Sequence, residues 1–189
     1  MKHLQATKAL LYILLFFVCF TSCTKDDISN SEAAANITVK LKSTIGQLNK
    51  VFIDIEDVQL KVKENEDLPN AWMSLNIINQ GTHNACTLNE ADPLLLVDHI
   101  KIEPTFVHKI RLVLGDNNFI DLNGLLMSLD VSNLGNATPS NLIRTELLAN
   151  KTYEFVIDLD IDESIHFDED QNMMILNPKL YTAIRQFEY

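Results

Sequence analysis

Cysteine and glycine are both scarce in this sequence. Of the three cysteines, Cys19 and Cys23 stand near the N-terminus, so no disulfide framework is expected to staple the rest of the chain. The third, Cys86, is expected as a small buried hydrophobic residue rather than a nucleophile. Five glycines are present, and none belongs to a loop that cradles phosphates. Stability must therefore come from an apolar core.

Positive charge is also in short supply. The chain has 15 Lys and Arg residues against 26 Asp and Glu, which gives a net charge of −11. A protein of this charge repels nucleic acid and anionic lipid. Neither is therefore expected as a partner.

No apolar run reaches the ~20 residues that a transmembrane helix needs. The run from Ala9 to Phe20 follows Lys2 and Lys8. Its length of about a dozen residues lies in the range of ~7 to 15 that is typical of a secretory signal. We therefore predict a cleaved signal peptide over residues 1–22. The mature chain would have 189 − 22 = 167 residues and a net charge of 13 − 26 = −13.

The residues after this run resemble a bacterial lipoprotein signal. FTSC at 20–23 is similar to a lipobox, which implies that Cys23 is acylated, with palmitate among its lipids. Lys25, Asp26 and Asp27 resemble the export signal of Bacteroidota lipoproteins. The resemblance implies a lipid anchor in the outer membrane and a domain that faces the cell exterior. An ordinary secreted protein is the alternative.

The rest of the sequence predicts a flexible tether followed by one β domain. Residues 23–35 are polar or small, which is typical of a flexible tether behind the lipidated residue. From residue 36 to 189, apolar and polar residues alternate in short runs between turn residues. The inward phase slips near Glu56 and Asp57, which predicts a β-bulge. Residues 90–99 are expected as a short helix. Seven or more strands predict an all-β fold, a single antiparallel sandwich.

Three segments carry a resemblance to a known family. KIRLVLGDNN at 109–118, TYEFVIDLDIDESI at 152–165 and ILNPKLYTAIR at 175–185 look like the landmark strands of domain of unknown function 4382. The resemblance covers roughly residues 36–187. It implies a transthyretin-like or immunoglobulin-like β-sandwich, and it carries no assigned activity.

The stretch IDLDIDESIHFDE at 157–169 has the spacing of a calcium-binding EF-hand loop. Asp158, Asp160 and Asp162 fall at ligand positions one, three and five, and Glu169 at position twelve. Against this, Glu163 stands where the sharp turn requires glycine. A strand would also hold Asp158 and Asp162 roughly 13 Å apart, whereas two ligands of one ion lie within ~5 Å of each other. The pattern therefore favours a solvated strand face without metal.

A looser calcium site is the alternative at the end of this strand. Its ligands would be acidic residues that converge across a loop: Asp162, Glu163, Asp168, Glu169 and Asp170. No other cofactor is expected.

The other chemical side chains give no catalytic pattern, and the chain is not expected to be an enzyme. Ser164, His166 and Asp168 have the residue types of a hydrolase triad, but alternate positions on one strand do not form a relay. Three other histidines lack zinc-binding spacing. They are His83, His99 and His108.

Two function classes are favoured over an enzyme. The first is a surface-displayed binding or accessory module, whose partner would be a glycan or an envelope protein. The second is a structural or adhesive subunit of an envelope or pilus-like assembly, for which exposed edge strands would be needed. Trp72 is expected in the core, with a sugar-stacking platform as the alternative. A calcium-binding sandwich is the remaining possibility.

Overall fold

The alternation of apolar and polar residues builds almost every element of the domain. Ile37, Val39 and Leu41 are fully buried, as their period of two predicts. The computed structural model describes residues 33–44, 50–131 and 140–188. Its strands are β1 (Ala35–Thr44), β2 (Lys50–Lys61), β3 (Trp72–Ser74), β4 (Gly81–Asn84), β5 (Leu94–Ile102), β6 (Thr105–Leu114), β7 (Phe119–Leu122), β8 (Leu125–Val131), β9 (Asn141–Leu147), β10 (Thr152–Asp160), β11 (Ile165–Asp168), β12 (Met173–Leu176) and β13 (Lys179–Phe187).

The strands form two sheets that pack together without closing into a barrel. The first sheet has the order β13-β10-β1-β5. The second has the order β11-β12-β8-β7-β2-β6-β9, and β3 and β4 also pair with β2. The predicted all-β sandwich is therefore confirmed. Each sheet contains a parallel pair, β1 with β10 and β12 with β8, among antiparallel neighbours.

The core lies between the two sheets. β10 contributes Phe155 and Ile157 from the first sheet, and β6 contributes Ile110 and Leu112 from the second. These side chains are at most 1% exposed. Burial of apolar surface of this kind is the main driving force for folding.

The predicted β-bulge in β2 is confirmed. The pairing of β2 with β6 shifts register between Ile55 and Asp57. Before the shift Ile53 and Ile55 face the core, and after it Val58 and Leu60 do so. The extra residue thus keeps both halves of a 12-residue strand apolar on the inside.

The helix predicted over residues 90–99 is wrong. Residues 94–102 form β5, which pairs with β1, and the peptide groups of Asn89 and Asp92 bond each other in the turn before it. A short apolar run such as 94–97 does not distinguish a buried strand from a buried helix. The helical turns lie elsewhere: a 3-10 turn at Ala85–Thr87 and the four-residue helix α1 at Ile161–Ser164.

A buried tyrosine fixes the corner where the chain passes from the second sheet to the first. Tyr153, at the start of β10, is 1% exposed. Its hydroxyl donates to the Glu146 carbonyl oxygen at 3.2 Å and accepts from the Leu148 N–H at 2.9 Å. The arrangement resembles the tyrosine corner of immunoglobulin-like sandwiches. It ties the end of β9 to β10 across the turn between them.

Candidate functional site

The residues predicted for lipidation and export lie outside the described part of the chain. These are Cys23, Lys25, Asp26 and Asp27, together with the signal peptide over residues 1–22. They therefore stay predictions. Among the residues that the structure does describe, no helix has the length and apolar character needed to cross a bilayer.

The acidic stretch after residue 157 is a strand for only part of its length. β10 ends at Asp160, whose side chain caps α1 by accepting a bond from the Glu163 N–H at 3.1 Å. The expected row of three aspartates on one strand face is therefore wrong at Asp162, which lies in the helix. Asp158 does lie on the strand, where its carboxylate is 3.3 Å from Lys42 Nζ. A lysine therefore neutralises the charge of Asp158.

The alternative calcium ligands serve separate local structures. Asp162 and Glu163 lie in α1, whereas Asp168 closes a turn after β11. The Asp168 carboxylate accepts bonds from the N–H groups of Asp170 and Gln171 at 2.9 and 3.0 Å. Within the described ranges, which include Glu169, no three histidine, cysteine or acidic side chains lie close enough to hold a metal.

Ser164, His166 and Asp168 do not form a relay. The Ser164 side chain is buried; its hydroxyl bonds the Asp160 carbonyl oxygen and accepts from the Lys179 N–H at 2.9 Å. His166 and Asp168 instead line a shallow outer groove of about 280 Å³ beside Met173. The serine is therefore a packing residue that holds α1 against the start of β13.

The three histidines stand on different strands. His83 Nε2 lies 3.1 Å from the Asn79 carbonyl oxygen, and His99 Nδ1 bonds the neighbouring Asp98. His108 lies on β6. Each has its own local surroundings, so they do not share a site.

Cys86 lies in the 3-10 turn and packs against the core. Burial raises the pKa of its thiol, which disfavours the reactive thiolate. The position agrees with the expected role as a small hydrophobic residue.

The outer face of the second sheet carries a row of side chains across four strands. Lys61 on β2 stands opposite Trp72 on β3 and Lys109 on β6, and Lys109 stands opposite Leu142 on β9. We call these four residues the Trp72 row. With strands ~4.8 Å apart, the row is about 14 Å long. It places two cations between two apolar side chains.

One carboxylate bridges the two lysines of the row. Glu66 Oε1 lies 2.7 Å from Lys61 Nζ and 3.0 Å from Lys109 Nζ. The hydrogen bond from Lys61, followed by that from Lys109, lowers the pKa of Glu66 to about 2. The Lys61 side chain is only 7% exposed, whereas that of Glu66 is 50% exposed. A buried cation thus depends on an anion from a surface turn.

Arg111 fixes the tryptophan at the end of the row. Its guanidinium carbon lies 3.9 Å from the centroid of a Trp72 ring, a cation–π contact. The same guanidinium donates two bonds to Gln59 Oε1, at 3.0 and 2.8 Å. Trp72 is half-buried, between the predicted core position and the alternative of an open platform.

A second polar site on this sheet surrounds Asp54. Its carboxylate is buried and accepts bonds from the N–H and side-chain amide of Asn117, both at 3.2 Å. It approaches Gly115 so closely that a Cβ there would lie 2.3 Å from Asp54 Oδ2. An open groove of about 510 Å³ adjoins it, lined by Asp54, Ile55, Glu56, Gln80 and Gly81.

The outer face of the first sheet is a network of ion pairs. Glu154 on β10 lies 2.5 Å from Lys40 on β1 and 3.4 Å from Arg185 on β13. Lys42 and Asp158 continue the network along the same two central strands. The charges on this face are thus paired across the strands.

Sequence-based prediction missed the Trp72 row. Lys61 and Lys109 look like ordinary outward residues of alternating strands, and the pairing that sets them opposite each other is a property of the fold. The available signal was the shared phase of Gln59 with Lys61 and of Lys109 with Arg111, each a polar pair on one strand face.

Comparison with known sequences identifies the domain. The sequence model described as Domain of unknown function (DUF4382) matches residues 34–178, more than half of the chain. Neither the curated proteins nor the solved structures gave a match. The matched range spans β1 to β12 and includes the resembling segments at 109–118 and 152–165. The chain therefore belongs to the DUF4382 family.

Proposed function

We propose that the chain is a Bacteroidota-type lipoprotein of the cell envelope whose β-sandwich acts at the cell surface as a non-catalytic binding or accessory module. The observation that carries the proposal is the order of features along the sequence. An apolar export run is followed by FTSC with Cys23, then by Lys25, Asp26 and Asp27, and then by a polar linker into the domain. This is the order that a lipid-anchored surface protein requires.

The lipid chemistry sets the strength of the anchor. A single acyl chain holds a protein at a membrane marginally and reversibly, whereas several chains hold it firmly. Acylation at the N-terminal cysteine would attach the chain ahead of β1, which begins at Ala35. The domain would then stand in water, with the ion pairs of its first sheet on the outer face.

The chemistry of the domain supports a binding role over catalysis. Ser164 is engaged in packing, and burial disfavours the thiolate of Cys86. The Trp72 row, by contrast, carries the partly exposed Lys109 and the exposed Leu142 beside the more deeply placed Lys61 and Trp72. Such a mixture of groups suits recognition of a ligand.

Metabolic labelling with palmitate tests the anchor. The parent protein should take up label, and Cys23→Ala should abolish it. Cys86→Ala is the matched control and should keep the label, since Cys86 lies within the folded domain. Label that persists in Cys23→Ala would contradict lipidation.

Display at the surface is tested separately. Replacing Lys25, Asp26 and Asp27 with alanine should leave palmitate in the protein and protect the domain from protease added outside intact cells. Digestion at the same rate as the parent would show that these residues do not direct export.

A structural or adhesive subunit is the second candidate, because one edge of the first sheet is long. In the described ranges, the nine-residue strand β13 bonds β10 on one side and has no strand on its other side. Tyr181 on this strand is 59% exposed. Open edges accept a strand from another chain. Fibres or ordered oligomers of the purified chain in electron microscopy would favour this candidate, and a stable monomer would contradict it.

Calcium binding at the 162–170 stretch is the third candidate. Calcium at ~100 times its dissociation constant would stabilise the fold by about 2.7 kcal/mol. A rise in the melting temperature with calcium but not magnesium, lost in Asp162→Asn and Glu169→Gln, would establish it. Equal small rises with both ions would show screening of the acidic chain instead.

A further inference from the structure

We propose that the Trp72 row binds a glycan that carries carboxylate groups, and that a ligand carboxylate takes the place of Glu66 between Lys61 and Lys109. The inference rests on the proposed role as a binding module and names its ligand class. The Glu66 carboxylate occupies the position that the carboxylate of a uronic acid would take.

The lysine pair brings two like charges to directly opposite positions. Lys61 and Lys109 are Cα partners on adjacent strands, and like charges in directly opposite positions destabilise a sheet. Both ammonium groups lie within 3.0 Å of the same Glu66 oxygen. The pair therefore requires an anion between its members, and a charged lysine as buried as Lys61 is rare unless it is paired.

The internal anion is accessible from solvent. Glu66 belongs to the turn-rich segment between β2 and β3, and half of its side chain is exposed. Water therefore reaches the Glu66 carboxylate and competes with the two lysines for it. An incoming carboxylate can therefore replace Glu66 without unfolding any strand. The positive charges of the two lysines then stay paired with an anion.

The two ends of the row suit the rest of a sugar. Trp72 is half-buried, with the Arg111 guanidinium carbon 3.9 Å from the centroid of one of its rings, and Leu142 at the other end is 57% exposed. Aromatic side chains offer a large apolar surface with a fixed geometry. The row thus places an apolar contact on each side of the anion site, over a length of about 14 Å.

The charge of the chain makes the site selective. The domain carries excess negative charge overall, so a polyanion is repelled from most of its surface. Two carboxylates, Glu66 and Asp57, interact with the cations at the row, which are Lys61, Lys109 and Arg111. Within this group three cations face two carboxylates, so the balance of charge is positive, opposite to that of the whole chain.

Titration of the full chain in detergent with polygalacturonate oligomers tests the proposal. The same oligomers with methyl-esterified carboxyl groups are the neutral twin and should bind at least tenfold more weakly, because charge-assisted hydrogen bonds are lost. Lys61→Met, which keeps the buried stem, and Lys109→Gln should each weaken binding about tenfold. Lys101→Gln, an exposed lysine on β5 of the other sheet, should bind as the parent does.

The sign of the effect at Glu66 is the decisive measurement. Glu66→Gln removes the competing carboxylate and should tighten binding severalfold, whereas a residue that holds the site together would weaken it. Thermal unfolding of each variant confirms that the domain is folded. A Glu66→Gln variant that is folded and binds more weakly overturns the displacement of Glu66.

Other outcomes overturn the ligand class. Absence of saturable binding, or equal binding of the methyl esters, would show that the site does not recognise a glycan carboxylate. Tighter binding of dextran sulfate, which carries sulfate and no carboxylate, than of polygalacturonate assigns the site to sulfate, and equal binding of polyglutamate assigns it to acidic peptides. Failure of palmitate labelling with intact binding would refute the anchor alone, whereas display without binding would refute this inference alone.

Discussion

Removal of one hydroxyl group at the Tyr153 corner should lower the stability of the whole domain. Tyr153→Phe keeps the buried ring and leaves the Glu146 carbonyl and the Leu148 N–H without the bonds that the hydroxyl makes. A buried hydrogen bond contributes ~0.5–1.5 kcal/mol and an unsatisfied partner costs ~1–3 kcal/mol. Leu148 is 44% exposed, so its N–H regains water and the cost falls toward the lower end.

The expected loss is therefore about 1.5 kcal/mol in the free energy of unfolding. For a domain of this size, that lowers the melting temperature by roughly 3–6 °C. Thermal and urea unfolding followed by circular dichroism measure it, with an unchanged urea m-value showing that the same surface is exposed. Tyr181→Phe, at an exposed position, is the control and should change stability by less than about 0.5 kcal/mol. Equal stability of both variants would refute the role of the corner.

Two further predictions concern other polar contacts. Gly115→Ala should destabilise the domain by about 1–3 kcal/mol in urea unfolding, because its Cβ would lie 2.3 Å from Asp54 Oδ2; an equal loss in the Asp54→Ala background would exclude that clash as the cause. The pKa of Glu66 is about 2 in the folded state, below its usual 4.5. Its ion pairs therefore stabilise the fold fully above pH 4.5, and this stabilisation is lost as the pH falls toward 2. Glu66→Gln should flatten the fall of melting temperature over this range, and an unchanged slope would show that Glu66 does not contribute.

Local patterns predicted the strands because a half-buried strand requires apolar and polar residues to alternate along the sequence. The alternation around Ile37 to Leu41 and the phase slip after Ile55 both follow from the need to face one core. The run at 94–97 gave the wrong element because it lacks that alternation. Its burial comes from β1 on one side and the opposite sheet above it, neither of which is local.

The sequence at the end of β10 contains a helix-capping pattern, which the prediction of a continuous strand missed. Asp160 and Glu163 have the spacing of a helix N-cap and its third residue, and the structure uses Asp160 as a cap. The Trp72 row, in contrast, depends on the pairing of strands that are distant in the sequence. Lys61 and Lys109 are 48 positions apart, 109 − 61, and meet only because β2 pairs with β6 in one register. No short-range pattern encodes that meeting.

The parallel pairing of β1 with β10 has a consequence for the order in which the chain can fold. Asn36 pairs with Thr152, a separation of 152 − 36 = 116 residues, and β1 is also the strand that joins β10 to β5. β1 is therefore synthesised early, but its central partner in the first sheet, β10, is synthesised near the end of the chain. Contacts between such distant segments carry a large loop-closure entropy and slow the search for the native state. Until residues 152–160 emerge, the first sheet lacks the strand that joins β1 to β13, whereas the strands from β2 to β9 of the second sheet are already available to pair.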